Sequence, residues 1–99
     1  MFGLISKLAA KEGQRDVLIT LIMQGADVMP GCISYVVAMD ADNANEIWIT
    51  EVWDSAESHA ASLQLPSVAA SIQQAMPLID MTAESLQKKT TPVGGRGVG

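Results

Sequence analysis

Apolar residues fall along this chain in two rhythms, one of about 3.6 residues and one of about 2, and the switches between them mark its elements. Phe2 to Ala9 is a short run rich in Leu and Ile, closed by the polar break Lys11-Glu12-Gly13, which predicts a first strand. From Gln14 onward Val17, Leu18, Leu21, Ile22, Gly25, Val28 and Met29 recur at steps of three and four. Such spacing lays them on one stripe of a helix, and Met29-Pro30-Gly31 should end it. Cys32 to Met39 is dense in β-branched residues, Asp40 to Asn45 is a polar turn, and Glu46 to Trp53 completes a hairpin. Asp54, with Glu57 three positions on, gives a capping-box-like start to a short helix reaching about Leu63. Pro66 suits the first turn of a further helix whose Val68, Ile72, Ala75 and Met76 share a face, and Pro77 stops it. Met81 to Thr91 is the last predicted strand.

The order β-α-β-β-α-β, with the second helical element broken at Pro66, is the split βαβ plan of ferredoxin-like α+β folds, an antiparallel sheet with its helices on one face. Residues 1–91 form the domain, and 92–99, Pro-Val-Gly-Gly-Arg-Gly-Val-Gly, form a glycine-rich tail that is flexible unless a partner holds it. In the second strand Ile33, Tyr35, Val37 and Met39 alternate with Cys32, Val36 and Ala38, and in the third Ile47 and Ile49 alternate with Trp48 and Val52. Both faces are therefore apolar, and the helices cover one. The other face predicts a self-complementary dimer closing sheet on sheet, a bound apolar ligand, or both.

Composition narrows the partners. Ninety-nine residues suit one domain, and 48% apolar against 17% charged residues is too apolar for a disordered chain. No stretch reaches the roughly 18 apolar residues of a membrane span, so no membrane partner is expected. All 11 carboxylates precede Lys88, where only Lys7, Lys11 and Arg15 oppose them, and such a surface repels a phosphate backbone; nucleic acid is not expected. The single Cys32 has no partner for an internal disulfide, and with the lone His59 it is too little for a structural zinc, so no metal is expected. The six carboxylates from Asp40 to Glu57 lack calcium-loop spacing and read as a solvated hairpin end and helix start. Without a signal-peptide pattern at Met1 to Lys7, the expected location is the cytoplasm.

At Ile47-Trp48-Ile49-Thr50-Glu51-Val52-Trp53-Asp54-Ser55-Ala56-Glu57 the chain resembles the antibiotic biosynthesis monooxygenase family, whose third strand runs into Glu-x-Trp-x-Ser and then a helix. Pro30-Gly31-Cys32-Ile33-Ser34-Tyr35, a Pro-Gly followed by a Cys-x-x-Tyr strand start, and the break at Pro66 agree in order and spacing. The resemblance implies a homodimeric α/β barrel with a pocket in each subunit between sheet and helices. It also implies an enzyme that oxygenates a quinol or polycyclic phenol with O2 and needs no cofactor, because the substrate supplies the electrons. The sequence departs from the family in places. Many quinol-oxidising relatives carry a His nine residues after the Trp, where this chain has Ser62, and His59 comes one helical turn earlier. The family's Asn on the third strand is replaced by Ile49, and the residues that haem-degrading relatives need match Ser6, Ser62 and Ile72, which disfavours haem degradation.

His59, the one side chain whose ordinary titration lies near neutrality, is the natural acceptor of a phenolic proton; the rival reading is a half-exposed histidine on an amphipathic helix. Glu51 shares a strand face with Ile47, Ile49 and Trp53, so it is either a buried carboxyl able to take that proton or one paired across the sheet, with Lys7 a partner. Trp53 stacks on a planar substrate or simply packs the core. Tyr35 either bonds a ligand oxygen or ends in solvent, Ser6 and Ser62 are pocket-wall residues or ordinary fillers, Ile49 is a candidate for the substrate wall, and Cys32 reads as a buried small hydrophobe. If the pocket lacks a base, the alternative is a non-catalytic dimer of the same fold that binds a small apolar molecule or serves a structural role.

Overall fold

The computed structural model describes residues 1–98; Gly99, the end of the expected tail, lies outside the described residues. Strands β1 (Phe2–Ala9), β2 (Cys32–Met39), β3 (Glu46–Trp53) and β4 (Leu86–Thr90) form one sheet in the order β2-β3-β1-β4, with every neighbouring pair antiparallel. Helices α1 (Arg15–Gly25), α2 (Ala56–Ser62) and α3 (Pro66–Ala75) make up the second layer, and a 3-10 turn at Met76–Leu78 leads the chain back toward β1. This is the ferredoxin-like α+β plan expected from the order of elements. Among the described residues no helix is long and apolar enough to cross a membrane.

The core lies between the sheet and the α1/α3 pair. Ala10, Leu18, Ile47, Ile49 and Ala75 are its buried centre, with Ile19, Ile22, Tyr35 and Val37 packed around them. The stripe of α1 is therefore rotated from the one expected: Leu18, Ile22 and Gly25 face inward with Ile19 at their flank, whereas Val17 is 52% exposed. The helix also stops at Gly25 and not at Met29, because the Ala26 N–H turns to both Ile22 and Met23 carbonyls and the chain leaves the helical path. Gly25 lies where α1 and α3 touch, and a Cβ there would sit 2.8 Å from the Ser71 side chain.

Two further boundaries and one strand register differ from expectation, each for a local reason. Ser55, not Asp54, caps α2: its hydroxyl accepts the Ser58 N–H at 3.1 Å, which satisfies an otherwise free donor of the first turn. The last strand begins at Leu86 and not Met81, because the Asp80 carboxylate accepts the Thr82 N–H at 3.0 Å and the Thr82 hydroxyl at 2.6 Å and so holds a turn. Finally, a bulge between Cys32 and Ser34 shifts the β2 register, so Cys32 stands opposite Trp53 and Tyr35 opposite Glu51. Simple alternation had set Cys32 and Tyr35 on opposite faces; the extra residue, Ile33, brings them to the same one.

Pairing sorts the strands into two faces. Phe2, Leu4, Ser6 and Leu8 of β1 accompany Trp53, Glu51, Ile49 and Ile47 of β3 beneath the helices. Ile5, Lys7, Trp48, Thr50, Val52, Val36, Ala38 and Leu86 share the open face. There Lys7 lies 4.0 Å from Glu46 and over the Trp48 ring, so it is not the partner of Glu51. Asp40 closes the β2–β3 hairpin, taking the Trp48 indole N–H at 2.7 Å on one oxygen and the Asp42 and Asn43 N–H groups on the other. Those bonds, the indole's first, hold its carboxyl below the usual range.

Gly31 joins the layers where β2 begins. Its φ is +86°, and a Cβ would lie 2.5 Å from the Ser58 hydroxyl and 2.8 Å from an Asp54 carboxylate oxygen. Gly31→Ala should cost about 2–4 kcal/mol, combining a left-handed penalty of about 1–2 with overpacking of similar size. Gly13, at φ +78° with nothing within 4 Å of its Cβ position, carries only the first term. Urea unfolding of both alanine variants checks this: equal losses would remove the close-approach argument.

Candidate functional site

A cavity of about 530 Å³ opens between the sheet and the helices, within the range of about 300–1,000 Å³ common for small-molecule sites. Its floor comes from the inward residues of β1 and β3, Leu4 and Ser6 beside Ile49, Glu51 and Trp53. Ile22 and Met29 close one side, Val68, Ile72 and Ala75 another, and His59 and Ser62 of α2 stand over the Trp53 end. The sequence-expected residues His59, Glu51, Trp53, Tyr35, Ser62, Ile49 and Ser6 all line this one space. Most of the remaining wall is aliphatic.

Its polar end is built around Glu51. The side chain is held inward by strand alternation, and the residue is 8% exposed. The Trp53 indole N–H donates to Oε1 at 3.0 Å, and the same oxygen lies 3.9 Å from His59 Nε2. That separation is too long for a hydrogen bond and short enough for an ion pair once the imidazole is charged. Burial pushes the Glu51 carboxyl up, against the opposing pull of the indole N–H and of His59. Tyr35, opposite Glu51 across the β2–β3 ladder, has its phenol pushed above the ordinary range by burial and then by the Glu51 charge. The half-buried Cys32 thiol is raised for the same two reasons, so it is a poor nucleophile here.

His59 is fixed by its neighbours and not by hydrogen bonds to its ring. Its centroid lies 5.4 Å from that of Trp53 with the planes at 73°, and 5.3 Å from that of Phe2 at 35°. The ring thus sits as an edge in an aromatic corner and looks onto the cavity, with the side chain 22% exposed. Ser62, 4% exposed, turns its hydroxyl back to the His59 carbonyl at 2.6 Å, which occupies its donor within the helix. Trp53, 1% exposed, is both core and cavity wall.

Phe2, Ser71 and Gln87 were not singled out from the sequence. Phe2 reaches the site because β1 pairs with β3 so that it stands opposite Trp53, and Gln87 because β4 places it opposite Ser6. Neither register is written in alternation alone. Among the described residues no three of His, Cys, Asp or Glu converge as a metal-binding group.

An antiparallel sheet with helices on one face, enclosing an apolar cavity that ends in a carboxyl and an imidazole, defines a ferredoxin-like α+β protein with a cavity of small-molecule size. Comparison with known proteins makes this specific. The model of the antibiotic biosynthesis monooxygenase family matches residues 1–74, and the chain belongs to that family. A crystal structure of a Chloroflexus aurantiacus J-10-fl protein assigned to antibiotic biosynthesis monooxygenases is 55% identical, with a TM-score of 0.92 over 99% of this chain and 98% of that one. A Deinococcus radiodurans structure with the same assignment is 22% identical, with a TM-score of 0.77 over 96% and 95%. One from Nitrosomonas europaea is 10% identical, with a TM-score of 0.82 over 95% and 100%, and speaks for the fold alone. No curated protein matches the chain.

Proposed function

We propose that this protein is a homodimeric, cofactor-independent monooxygenase that oxidises a quinol or polycyclic phenol with O2. The observation that carries the reading is the pairing of His59 with the buried Glu51 at the end of an otherwise apolar cavity. An acidic substrate proton passes to His59, and the Glu51 carboxylate, 3.9 Å away, stabilises the imidazolium that forms. The aliphatic wall limits water around the resulting anion. The anion supplies the electrons: one oxygen atom ends on a ring carbon, and the other leaves as water with the two hydrogens the substrate gives up. Tyr35 and Ser62 border the reacting end, and Trp53, Ile49 and Ser6 border the ring.

The dimer is supported by the uncovered sheet face, where Val36 is 54% and Leu86 45% exposed beside Trp48 and Val52. Sedimentation velocity at micromolar concentration should give about twice the monomer mass, and a stable monomer would refute it. The location is expected to be the cytoplasm.

Oxygen uptake with a panel of quinols and anthrone-type phenols tests the chemistry. Uptake above autoxidation that persists with a metal chelator is the expected outcome. Binding of panel members without uptake would leave the protein a binder of small apolar molecules.

A further inference from the structure

We propose that Ser6 and Gln87 form a second hydrogen-bonding subsite on the cavity floor, at the opposite end from Glu51, which selects rings carrying oxygen at both ends. This rests on the cavity being the substrate site and adds to it a specificity-determining pair. Ser6 of β1 stands directly opposite Gln87 of β4, and both line the cavity. Cross-strand partners in an antiparallel ladder point to the same face, so the two side chains rise together from the floor. Glu51 sits on the same face but two positions along, opposite Leu4.

Strands about 4.8 Å apart and a rise of about 3.3 Å per residue separate the backbone positions of Gln87 and Glu51 by about 12 Å, and those of Ser6 and Glu51 by about 8 Å. The floor between them is Leu4 and Ile49, apolar surface suited to a ring face. A single aromatic ring with an oxygen at each end, plus a hydrogen bond of about 2.8 Å to each oxygen, measures about 11 Å, which matches the separation of Gln87 from Glu51, with Ser6 beside the path. The chemistry of the pair suits both sides of the reaction. A serine hydroxyl donates and accepts, and a glutamine amide does both, so the subsite can accept from a phenolic O–H or donate to a quinone carbonyl. A ring with oxygen at one end only leaves these partly solvated groups to water, so the discrimination is modest. Ser6 is half-buried and Gln87 is exposed, so the longer amide side chain reaches the far oxygen and the serine hydroxyl lies beside it.

Anaerobic calorimetric titration with 1,4-dihydroxynaphthalene and 1-naphthol tests this. The wild type should bind the first about tenfold more tightly, the equivalent of about 1.4 kcal/mol. The double variant Ser6→Ala/Gln87→Leu should lose that preference and bind the two ligands about equally. Gln87→Glu, which keeps the shape and loses the amide donors, should weaken binding of 1,4-naphthoquinone. Equal affinities in the wild type, a preference surviving the double variant, or no binding of either ligand would overturn the subsite. A preference without oxygen uptake overturns the oxygenase reading alone, and uptake without a preference overturns the subsite alone.

Discussion

His59→Ala should lower kcat/KM for oxygen consumption by about 100- to 10,000-fold, the span that a positioned acid–base group contributes. The far-UV spectrum should be unchanged, because the ring lies at the cavity edge and, among the described residues, no hydrogen bond depends on it. Glu51→Gln separates the roles of the pair. Its amide oxygen can still accept the Trp53 N–H, but it cannot offset an imidazolium, so the loss should be about tenfold and should fall mainly on kcat. The wild-type rate should rise with pH in part as Glu51 ionises, above the usual carboxylate range because burial raises it, and Glu51→Gln should lose that contribution. An unchanged profile in the variant would remove Glu51 from the chemistry.

The same carboxyl has a cost in stability. Its folded pKa lies above the unfolded one, so the folded state binds the proton more tightly. Stability from this group is fully present below the unfolded value and is lost as pH rises through the folded one. Glu51→Gln should therefore melt higher than wild type at neutral pH by a few degrees, on the order of 1 kcal/mol, with the difference closing toward pH 4.

Trp53→Ala should cost about 3–5 kcal/mol, a large part of the roughly 5–15 kcal/mol that holds a domain of this size. The indole is almost wholly enclosed, and its removal leaves a void beside Phe2 and His59 as well as Glu51 without its donor. Urea denaturation should show a much lower midpoint. Trp53→Phe keeps most of the packing and removes only the N–H, so it should cost far less while moving the rising pH limb of oxygen uptake to still higher pH. If the two variants were equally unstable, the hydrogen bond and not the packing would be what Trp53 supplies.

Much of the fold was legible because hydrophobic rhythm reports local geometry. The strands at Phe2–Ala9, Cys32–Met39 and Glu46–Trp53 match their apolar runs, and Pro66 opens α3 because its fixed φ and missing N–H suit a first helical turn. Boundaries failed where a single side chain competed for backbone donors, as Ser55 does at α2 and Asp80 before β4. The phase of α1 failed because Val17 and Ile19 flank Leu18 equally in sequence and only the position of the sheet chooses between them.

By itself the sequence determined the order of elements, the inward carboxyl at Glu51 and the aromatic signature at Trp53, since alternation and propensity are properties of neighbours along the chain. Tertiary structure alone decided that Glu51 meets His59 and not Lys7, that a bulge turns Cys32 toward Trp53, and that Ser6 and Gln87 stand side by side. These are matters of strand register and helix phase. One residue of slip reverses every side chain of a strand, and the energy that forbids it comes from packing between elements far apart in the chain.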